Sequence, residues 1–312
     1  MNNILEKKRL ADKVWSFRVE APLIAKRRKP GQFVILRLWE GGERFPLTIA
    51  DADTVEGSIT LVVQAVGKST SMMAELEAGD TIMDLAGPLG RPSHIENFGT
   101  VVLIGGGIGI APIHPIAQAM KAVGNSVFSI LGARTKELII MEEEIRKASH
   151  EVIVVTDDGS YGRKGLVTDA LQKLIDDGAA IDQVLTIGPP VMMRAVSERT
   201  RPYGIKTIVS LNTIMIDGTG MCGGCRIRYD GRNKFVCVDG PEFDGHKVDF
   251  ANMMTRQRAY AQAEEESMKL WEEPDHKFAE AGCTFHPGIR RGSAEKGGEG
   301  VAAKGGIHEQ VA

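Results

Sequence analysis

Three of the four cysteines in this chain lie close together, as Cys222, Cys225 and Cys237. Thiolates at such a spacing bind metals, and both zinc and [2Fe–2S] centres prefer four ligands. One known [2Fe–2S] spacing is C-x4-C-x2-C followed by a distant fourth cysteine. The present segment reads D-x4-C-x2-C-x11-C, because Asp217 lies five positions before Cys222. An Asp therefore occupies the position of the first thiolate.

Asp217 has two interpretations. It carries the same formal charge as a thiolate and its oxygen can reach iron, so we predict that it is the fourth ligand. The alternative is that it opens an Asx-type turn in the sequence DGTG. For the whole site the alternative is zinc held by three Cys and one Asp. Neighbouring glycines favour the cluster, because a loop around inorganic sulfide needs close backbone N–H groups. They are Gly218, Gly220, Gly223 and Gly224.

The composition is that of an ordinary globular protein, with 312 residues, 43% hydrophobic residues and a net charge of −3. This balance does not indicate nucleic acid as a partner. The N-terminal residues lack the apolar core of a signal peptide, and no stretch has the roughly 20 apolar residues that span a bilayer. We expect two or three domains in a cytoplasmic protein without a membrane partner.

The pattern of predicted secondary structure changes along the chain. Short β-like runs separated by turn signals predict an antiparallel β-barrel, and alternating strands and helices then predict a parallel, doubly wound sheet. The expected organisation is a barrel over 1–97, an α/β domain over 98–205, a cluster segment over 206–250, a helix over 251–273 and a flexible or partner-bound tail over 274–312.

The sequence GGGIGIAP begins at Gly105, between a predicted buried strand and a predicted helix. Glycines at such a turn let the backbone approach a pyrophosphate, which the N–H groups of the helix start attract. The usual fingerprint is G-x-G-x-x-G, and here Pro112 takes the last position. A tight turn without a ligand is the alternative, but the surrounding α/β pattern favours nucleotide binding.

At these residues the sequence resembles the ferredoxin–NADP reductase superfamily, in which a flavin-binding barrel precedes a nicotinamide-nucleotide domain. The resemblance implies that Gly188 and Pro189, in IGPPVMM, lie beside the nicotinamide. It also implies a pyrophosphate loop formed by Gly106, Gly107, Gly109, Ala111 and Pro112.

The same resemblance implies two FAD elements. In ERFPLTIAD, Arg44, Pro46, Leu47 and Thr48 are similar to the motif Arg-x-Tyr-Ser/Thr, in which Arg binds the flavin phosphates and the hydroxyl binds the isoalloxazine edge. The Arg lies one residue further from the Thr than usual, and Leu replaces the aromatic residue. The second element, VVQAVGKSTSMM, contributes Val63, Gln64, Val66, Gly67, Ser69 and Thr70.

The order of barrel, nucleotide domain and cluster segment is that of dihydroorotate dehydrogenase electron-transfer subunits. The Asp variant more closely resembles the small-subunit family of NADH-dependent reduced ferredoxin:NADP oxidoreductases, also known as sulfide dehydrogenase β subunits. That resemblance implies hydride exchange between NAD(P)H and FAD. It also implies single-electron transfer through the cluster to a larger flavin and iron–sulfur subunit, with electron bifurcation to ferredoxin in some complexes.

Two alternatives stay open: a dihydroorotate dehydrogenase subunit, and a non-enzymatic zinc- or cluster-binding regulator. The nucleotide is NAD(H) or NADP(H). Arg134 follows the second predicted strand of the α/β domain, where a basic residue could meet a 2′-phosphate, whereas the resembled family uses NAD(H). We expect no catalytic side chains, because the cofactors carry the hydride chemistry. No chemistry is assigned to Cys283 or His114.

Overall fold

The computed structural model describes residues 2–272 and begins with an antiparallel sheet of seven strands. In space the strands follow the order β6-β1-β2-β5-β4-β3-β7. Only Met83 separates β6 from β7, the two ends of the sheet, so the barrel is nearly closed. Its elements are β1 Asn2–Ala11, β2 Val14–Glu20, α1 Pro22–Arg27, β3 Phe33–Arg37, β4 Arg44–Asp53, β5 Ser58–Gln64, α2 Lys68–Glu75, β6 Thr81–Ile82 and β7 Asp84–Leu89.

Apolar side chains at alternate positions along the strands fill the interior of the barrel. Phe17, Ile59 and Leu61 point inward and are fully buried. Helix α2 adds Met72 and Met73 to the same core. Each such side chain stabilises the fold by about 1.5–3 kcal/mol through its removal from water. This packing holds α2 against the barrel, so its N-terminus has a defined position.

The second sheet also has seven strands, in the order β11-β10-β9-β8-β12-β13-β16. Strands β8 to β13 run parallel, and β16 closes one edge in the antiparallel direction. The elements up to this edge are β8 Thr100–Gly106, α3 Ile110–Ala122, β9 Ser126–Ala133, α4 Glu142–Ala148, β10 Glu151–Thr156, β11 Arg163–Lys164, α5 Val167–Asp176, β12 Gln183–Ile187, α6 Pro190–Thr200 and β13 Lys206–Ser210. The predicted combination of a barrel, a parallel sheet and a C-terminal cluster segment is confirmed.

The parallel sheet extends into the segment that was expected to hold the cluster. Strand β13 lies just after the boundary expected at residue 205 and pairs with β12. Strand β16, Glu242–Asp244, follows the cysteines and pairs with β13. The segment expected over 206–250 therefore contributes both of its ends to the nucleotide sheet, because these short strands complete its edge.

Between β13 and β16 lie the hairpin β14 Arg226–Tyr229 and β15 Arg232–Phe235, and the short helix α7 Val236–Asp239. Two helices, α8 Phe250–Gln257 and α9 Ala261–Glu272, stand where one helix was expected over 251–273. Their apolar faces pack against different cores, which requires a bend: Phe250 joins the cysteine core and Trp271 the barrel core. Residue 273, the tail over 274–312 and Cys283 lie outside the described residues.

Within residues 2–272, no helix combines the length and the apolar composition needed to cross a bilayer.

Candidate functional site

A β-hairpin brings Cys225 and Cys237 together. Cys225 directly precedes β14 and Cys237 lies in α7, just after β15. The two strands are joined by Asp230 and Gly231, both with positive φ, as the tight turn of a two-residue hairpin requires. The spacing of eleven residues is thus the length of the hairpin. It places the two sulfurs 3.3 Å apart.

Both of these thiols are free and buried. Burial, and next the neighbouring Cys225 sulfur, raise the pKa of the Cys237 thiol to about 12. A thiol in this environment keeps its proton at neutral pH unless a metal ion takes the proton's place. The Cys237 backbone N–H points at the Cys225 sulfur over 3.5 Å, the kind of contact that stabilises a metal-bound thiolate.

Cys222 lies on the exposed loop before the hairpin. Its sulfur accepts a bond from the Gly224 N–H over 3.4 Å. Gly220 and Gly223 have positive φ, which turns their backbone around the cysteines. The described residues contain no preassembled group of three or more His, Cys, Asp or Glu side chains around one ion position. Cys222 must therefore turn toward Cys225 and Cys237 if all three are to bind one centre.

The Asp217 carboxylate accepts two backbone hydrogen bonds from the cysteine loop. Oδ1 accepts from the Thr219 N–H at 2.9 Å, and Oδ2 from the Cys222 N–H at 2.7 Å. Although burial works to raise it, the pKa of Asp217 is lowered, because these N–H groups stabilise the charged form. This is the geometry of the turn interpretation, and it also keeps an ionised oxygen ligand beside Cys222.

The cysteine loop packs directly on the barrel. A Cβ added at Gly218, whose φ is +74°, would lie 2.7 Å from Leu89 Cδ1 and 2.8 Å from Ile35 Cγ1. Arg44, at the start of β4, donates from Nε to the Ile216 carbonyl at 3.0 Å. The loop that carries the cysteines is thus held against the strand that carries the predicted FAD motif.

The predicted FAD residues lie on neighbouring strands and on the start of α2. Arg44, Pro46, Leu47 and Thr48 are on β4, and Val63 and Gln64 end β5 beside it. The Val63 side chain is fully buried in the barrel core, so its backbone alone could face a ligand. By contrast, Val66 is exposed and precedes the helix N-cap Gly67.

Two predicted hydroxyl groups at α2 already have protein partners. Ser69 donates to the Glu43 carboxylate, and the Thr70 hydroxyl caps the helix by accepting from the Gly67 N–H at 3.1 Å. The first backbone N–H groups of a helix have no partner within the helix. At α2 these backbone N–H groups, rather than the Ser69 and Thr70 hydroxyls, are the donors available to an anionic group such as the FAD pyrophosphate.

The glycine turn after β8 and the turn after β12 pack against each other. A Cβ at Gly109 would lie 2.2 Å from the Ile187 carbonyl oxygen. A Cβ at Gly106 would lie 2.4 Å from Met192 Sδ, and one at Gly188 3.2 Å from Gly106 Cα. Gly107, with φ +56°, has open space at its Cβ position. The two predicted nucleotide elements therefore form one glycine-lined edge, completed by Pro189, Ala111 and Pro112.

Arg134, predicted as a residue that could meet a 2′-phosphate, follows β9 and is exposed. Its carbonyl accepts from the Asp158 N–H at 3.2 Å, and the Asp157 N–H bonds the Ala133 carbonyl at 3.1 Å. Two acidic residues that follow β10 thus have their backbone beside the end of β9, and the Asp158 carboxylate accepts from the Ser160 N–H and hydroxyl. Nothing in the sequence near Arg134 indicates this pair, because the two segments meet only in the folded sheet.

Other contacts at the site involve residues that the motifs did not mark. Met192 fills the space over the two glycine turns, and Glu43 binds Ser69. His114 is buried and its Nδ1 lies 3.3 Å from the Ala50 carbonyl oxygen, so it joins α3 to the barrel. Glu43 and Met192 lie within the stretches ERFPLTIAD and IGPPVMM, but neither pattern indicates these contacts.

The residues present fit the cofactors. Two buried thiols in contact, a third thiol on a loop of positive-φ glycines and N–H groups aimed at sulfur form a donor set for an iron–sulfur centre. The Thr213 hydroxyl, buried just before this loop, has no hydrogen-bond partner within the described residues. The free N-terminus of α2 and the open glycine edge suit the pyrophosphates of FAD and of a nicotinamide nucleotide.

Two family models match the chain. Residues 212–249 match the iron–sulfur cluster binding domain of dihydroorotate dehydrogenase B, and residues 103–198 match the oxidoreductase NAD-binding domain. One chain of the solved NADH-dependent reduced ferredoxin–NADP oxidoreductase superimposes on this protein with a TM-score of 0.84 and 45% identity. That structure was reported in connection with flavin-based electron bifurcation. That match covers 88% of this chain and 98% of the other. Phthalate dioxygenase reductase, at 18% identity and a TM-score of 0.53 over 73% of this chain and 86% of its own, shares the fold.

Relatives in sequence extend over nearly the whole described chain. The dihydroorotate dehydrogenase B electron-transfer subunit homologue of Thermotoga maritima is 48% identical over 264 residues, which cover 85% of this chain and 93% of the relative. The electron-transfer subunit of Geobacillus thermodenitrificans is 32% identical over 78% of this chain and 96% of its own. The chain belongs to the family of dihydroorotate dehydrogenase B electron-transfer subunits and their homologues, which are oxidoreductase subunits of the ferredoxin–NADP reductase type that bind FAD, an iron–sulfur centre and NAD.

Proposed function

We propose that this protein is the FAD and [2Fe–2S] subunit of an NADH-dependent reduced ferredoxin:NADP oxidoreductase. The ligands of its cluster are Cys222, Cys225, Cys237 and Asp217. When bound, the nicotinamide and FAD exchange a hydride, and the cluster relays single electrons. The observation that carries the proposal is the single hydrophobic core that joins the barrel, the nucleotide sheet and the cysteines.

That core has members from every part of the molecule. Phe33 and Ile35 come from the barrel, Met193 and Val209 from the nucleotide domain, and Cys225 and Cys237 from the hairpin; all are buried together. Interiors of this kind pack at crystal-like density and resist relative movement. The chain therefore keeps its three cofactor sites in a constant arrangement, as electron transfer between them requires.

The role of the protein at each site is to bind and orient. Backbone N–H groups at the start of α2 hold the FAD pyrophosphate, and Thr48 hydrogen-bonds the isoalloxazine edge. The glycine edge around Gly107 and Gly188 admits the nucleotide pyrophosphate. The carboxylates of Asp157 and Asp158 favour NAD(H), because an unphosphorylated ribose can donate hydrogen bonds to them whereas a 2′-phosphate is repelled.

The electrons leave through a larger flavin and iron–sulfur subunit. Two exposed apolar side chains of the cluster loop favour such a partner, because Met221 is 88% exposed and Ile216 is 47% exposed. Apolar side chains at such positions are typical of protein contacts. Ferredoxin is the low-potential acceptor when the complex bifurcates electrons.

A second candidate is the electron-transfer subunit of dihydroorotate dehydrogenase. Relatives that carry this description, such as that of Geobacillus thermodenitrificans at 32% identity, favour it. The two functions share every cofactor and differ in the partner subunit. The partner's substrate, dihydroorotate or reduced ferredoxin, therefore distinguishes them.

The decisive experiment isolates the chain with its native partner under anaerobic conditions. Flavin, iron and sulfide are assayed, and reduction by NADH is followed by visible and EPR spectroscopy. We expect FAD, two irons and two sulfides per chain, and reduction of NADP+ to NADPH when reduced ferredoxin and NADH are both supplied as electron donors. Activity with dihydroorotate in place of ferredoxin would establish the second candidate, and a preparation without flavin and iron would refute both.

A further inference from the structure

Arg44 is the basic residue of the FAD motif, yet its guanidinium is engaged with the cysteine loop. Nε donates to the Ile216 carbonyl at 3.0 Å. This is an ordinary hydrogen-bond length, and Arg44 and Ile216 are 172 positions apart in sequence. Ile216 is joined by one peptide bond to Asp217, so the contact acts directly on the start of the cluster loop.

An arginine on the neighbouring strand provides a comparison, because it does not contact the cysteine loop. Arg37 on β3 lies directly opposite Arg44 in the sheet. Arg37 pairs with the Asp84 carboxylate at 2.6 Å and remains within the barrel. Among the described residues, no carboxylate forms an ion pair with Arg44. Its charge is therefore not neutralised locally and acts on the loop to which it is bonded.

The loop is also held on the barrel independently of Arg44. Gly218 lies so close to Ile35 and Leu89 that a methyl group would clash with both. The loop therefore has two contacts with the barrel, one on each side of Asp217. Movement of Asp217 relative to the FAD strand is restricted by the combination of these contacts.

We propose that Arg44 is a positioning residue for the iron–sulfur loop, holding Ile216 and Asp217 against the FAD strand and placing a positive charge beside the cluster. This inference rests on the proposed [2Fe–2S] function. A cation near the cluster stabilises its reduced form, which carries one more negative charge. Arg44 thus links the position of the loop to the ease with which the cluster accepts an electron.

The test compares Arg44→Met, Arg44→Lys and the control Arg37→Met in the full chain with its partner. The readouts are the EPR spectrum and midpoint potential of the cluster and the dissociation constant of FAD. We expect a more negative potential and an altered EPR spectrum in Arg44→Met. Arg44→Lys, which keeps the charge, should recover part of the potential, and Arg37→Met should match the wild type.

An Arg44→Met protein with the wild-type EPR spectrum and potential would overturn the inference, even if its FAD dissociation constant rose tenfold. That result would assign Arg44 to the flavin phosphates alone. Failure of the proposed function is recognised separately, because the wild-type protein would then show no cluster signal. Circular dichroism of the variants confirms that each one is folded.

Discussion

The Ser93 hydroxyl donates a hydrogen bond to the Glu242 carboxylate, and this contact joins the segment that leaves the barrel to the edge strand of the nucleotide sheet. Glu242 stands opposite Ser210 in that sheet. Burial raises the pKa of Glu242 to about 7, against the opposing effect of the Ser93 hydrogen bond. The junction between the two domains therefore contains a carboxyl group that titrates near neutral pH.

The junction makes stability depend on pH. Because the folded pKa of Glu242 is about 7 and its ordinary value is 4.5, the unfolded state loses this proton first as pH rises. Stability should fall between about pH 4.5 and 7 and stay lower above that range. The cost at pH 8 is on the order of 1–3 kcal/mol, since one pKa unit is about 1.4 kcal/mol and Glu242 remains partly accessible.

Glu242→Gln removes this titration. Urea unfolding of the holoprotein at pH 5 and pH 8 should show a larger gain for the variant at pH 8 than at pH 5. Equal differences between the two proteins at both pH values would contradict the assigned pKa.

Asp217 can be tested by two substitutions at the predicted ligand position. Asp217→Cys restores a thiolate at the ligand position, whereas Asp217→Ala removes both the ligand and the acceptor of the Thr219 and Cys222 N–H bonds. If Asp217 ligates iron, both variants should change the EPR spectrum of the cluster. Cys283→Ser is the control and should keep the wild-type spectrum. Unchanged spectra in both Asp217 variants would leave Asp217 as a turn residue.

Gly218 and Gly231 form a matched pair for testing the contact between loop and barrel. Both have nearly the same positive φ, +74° and +72°, so an Ala costs about 1–2 kcal/mol of backbone strain at either position. Only at Gly218 would the methyl group also clash, with Ile35 and Leu89; at Gly231 no atom lies within 4 Å.

Gly218→Ala should therefore lose about 1–3 kcal/mol more in urea unfolding than Gly231→Ala, and should release iron faster to a chelator. Equal losses in the two variants would show that the loop does not depend on its contact with the barrel.

Gly109 tests the nucleotide edge without backbone strain, because its φ is −63°. An Ala there would meet the Ile187 carbonyl and separate the two glycine turns. Gly109→Ala should weaken NADH binding about tenfold, or about 1.4 kcal/mol, in a titration followed by flavin absorbance. Gly178→Ala lies where no atom is within 4 Å, and although its φ of +82° adds backbone strain, this variant should bind NADH as the wild type does. Unchanged affinity in Gly109→Ala would remove this edge from the nucleotide site.

Local patterns were sufficient for much of the fold. The hairpin that pairs Cys225 with Cys237 was not predicted, although the Asp-Gly pair at 230–231 is a typical two-residue hairpin turn. The glycine turn after β8 was predicted because a buried strand, glycines and a helix occur in succession. In both cases the residues that determine the structure are neighbours in sequence.

Contacts between distant segments were beyond the reach of such patterns. Arg44 was assigned to the flavin phosphates, and nothing near it in sequence indicates the Ile216 carbonyl. The same holds for Ser93 and Glu242, which lie 149 positions apart. These pairs arise from the way in which the barrel and the sheet pack, which a single sequence does not encode as a local pattern.

The placement of the cysteine segment between β13 and β16 has a consequence for the modularity of this protein. The segment is an insertion between two adjacent strands of the nucleotide sheet rather than an appendage at its end. It cannot be cut away or grafted onto another reductase without opening the edge of that sheet. Removal of the segment would also remove the connection between β13 and β16, so the cluster loop and the edge of the nucleotide sheet are parts of one structural unit.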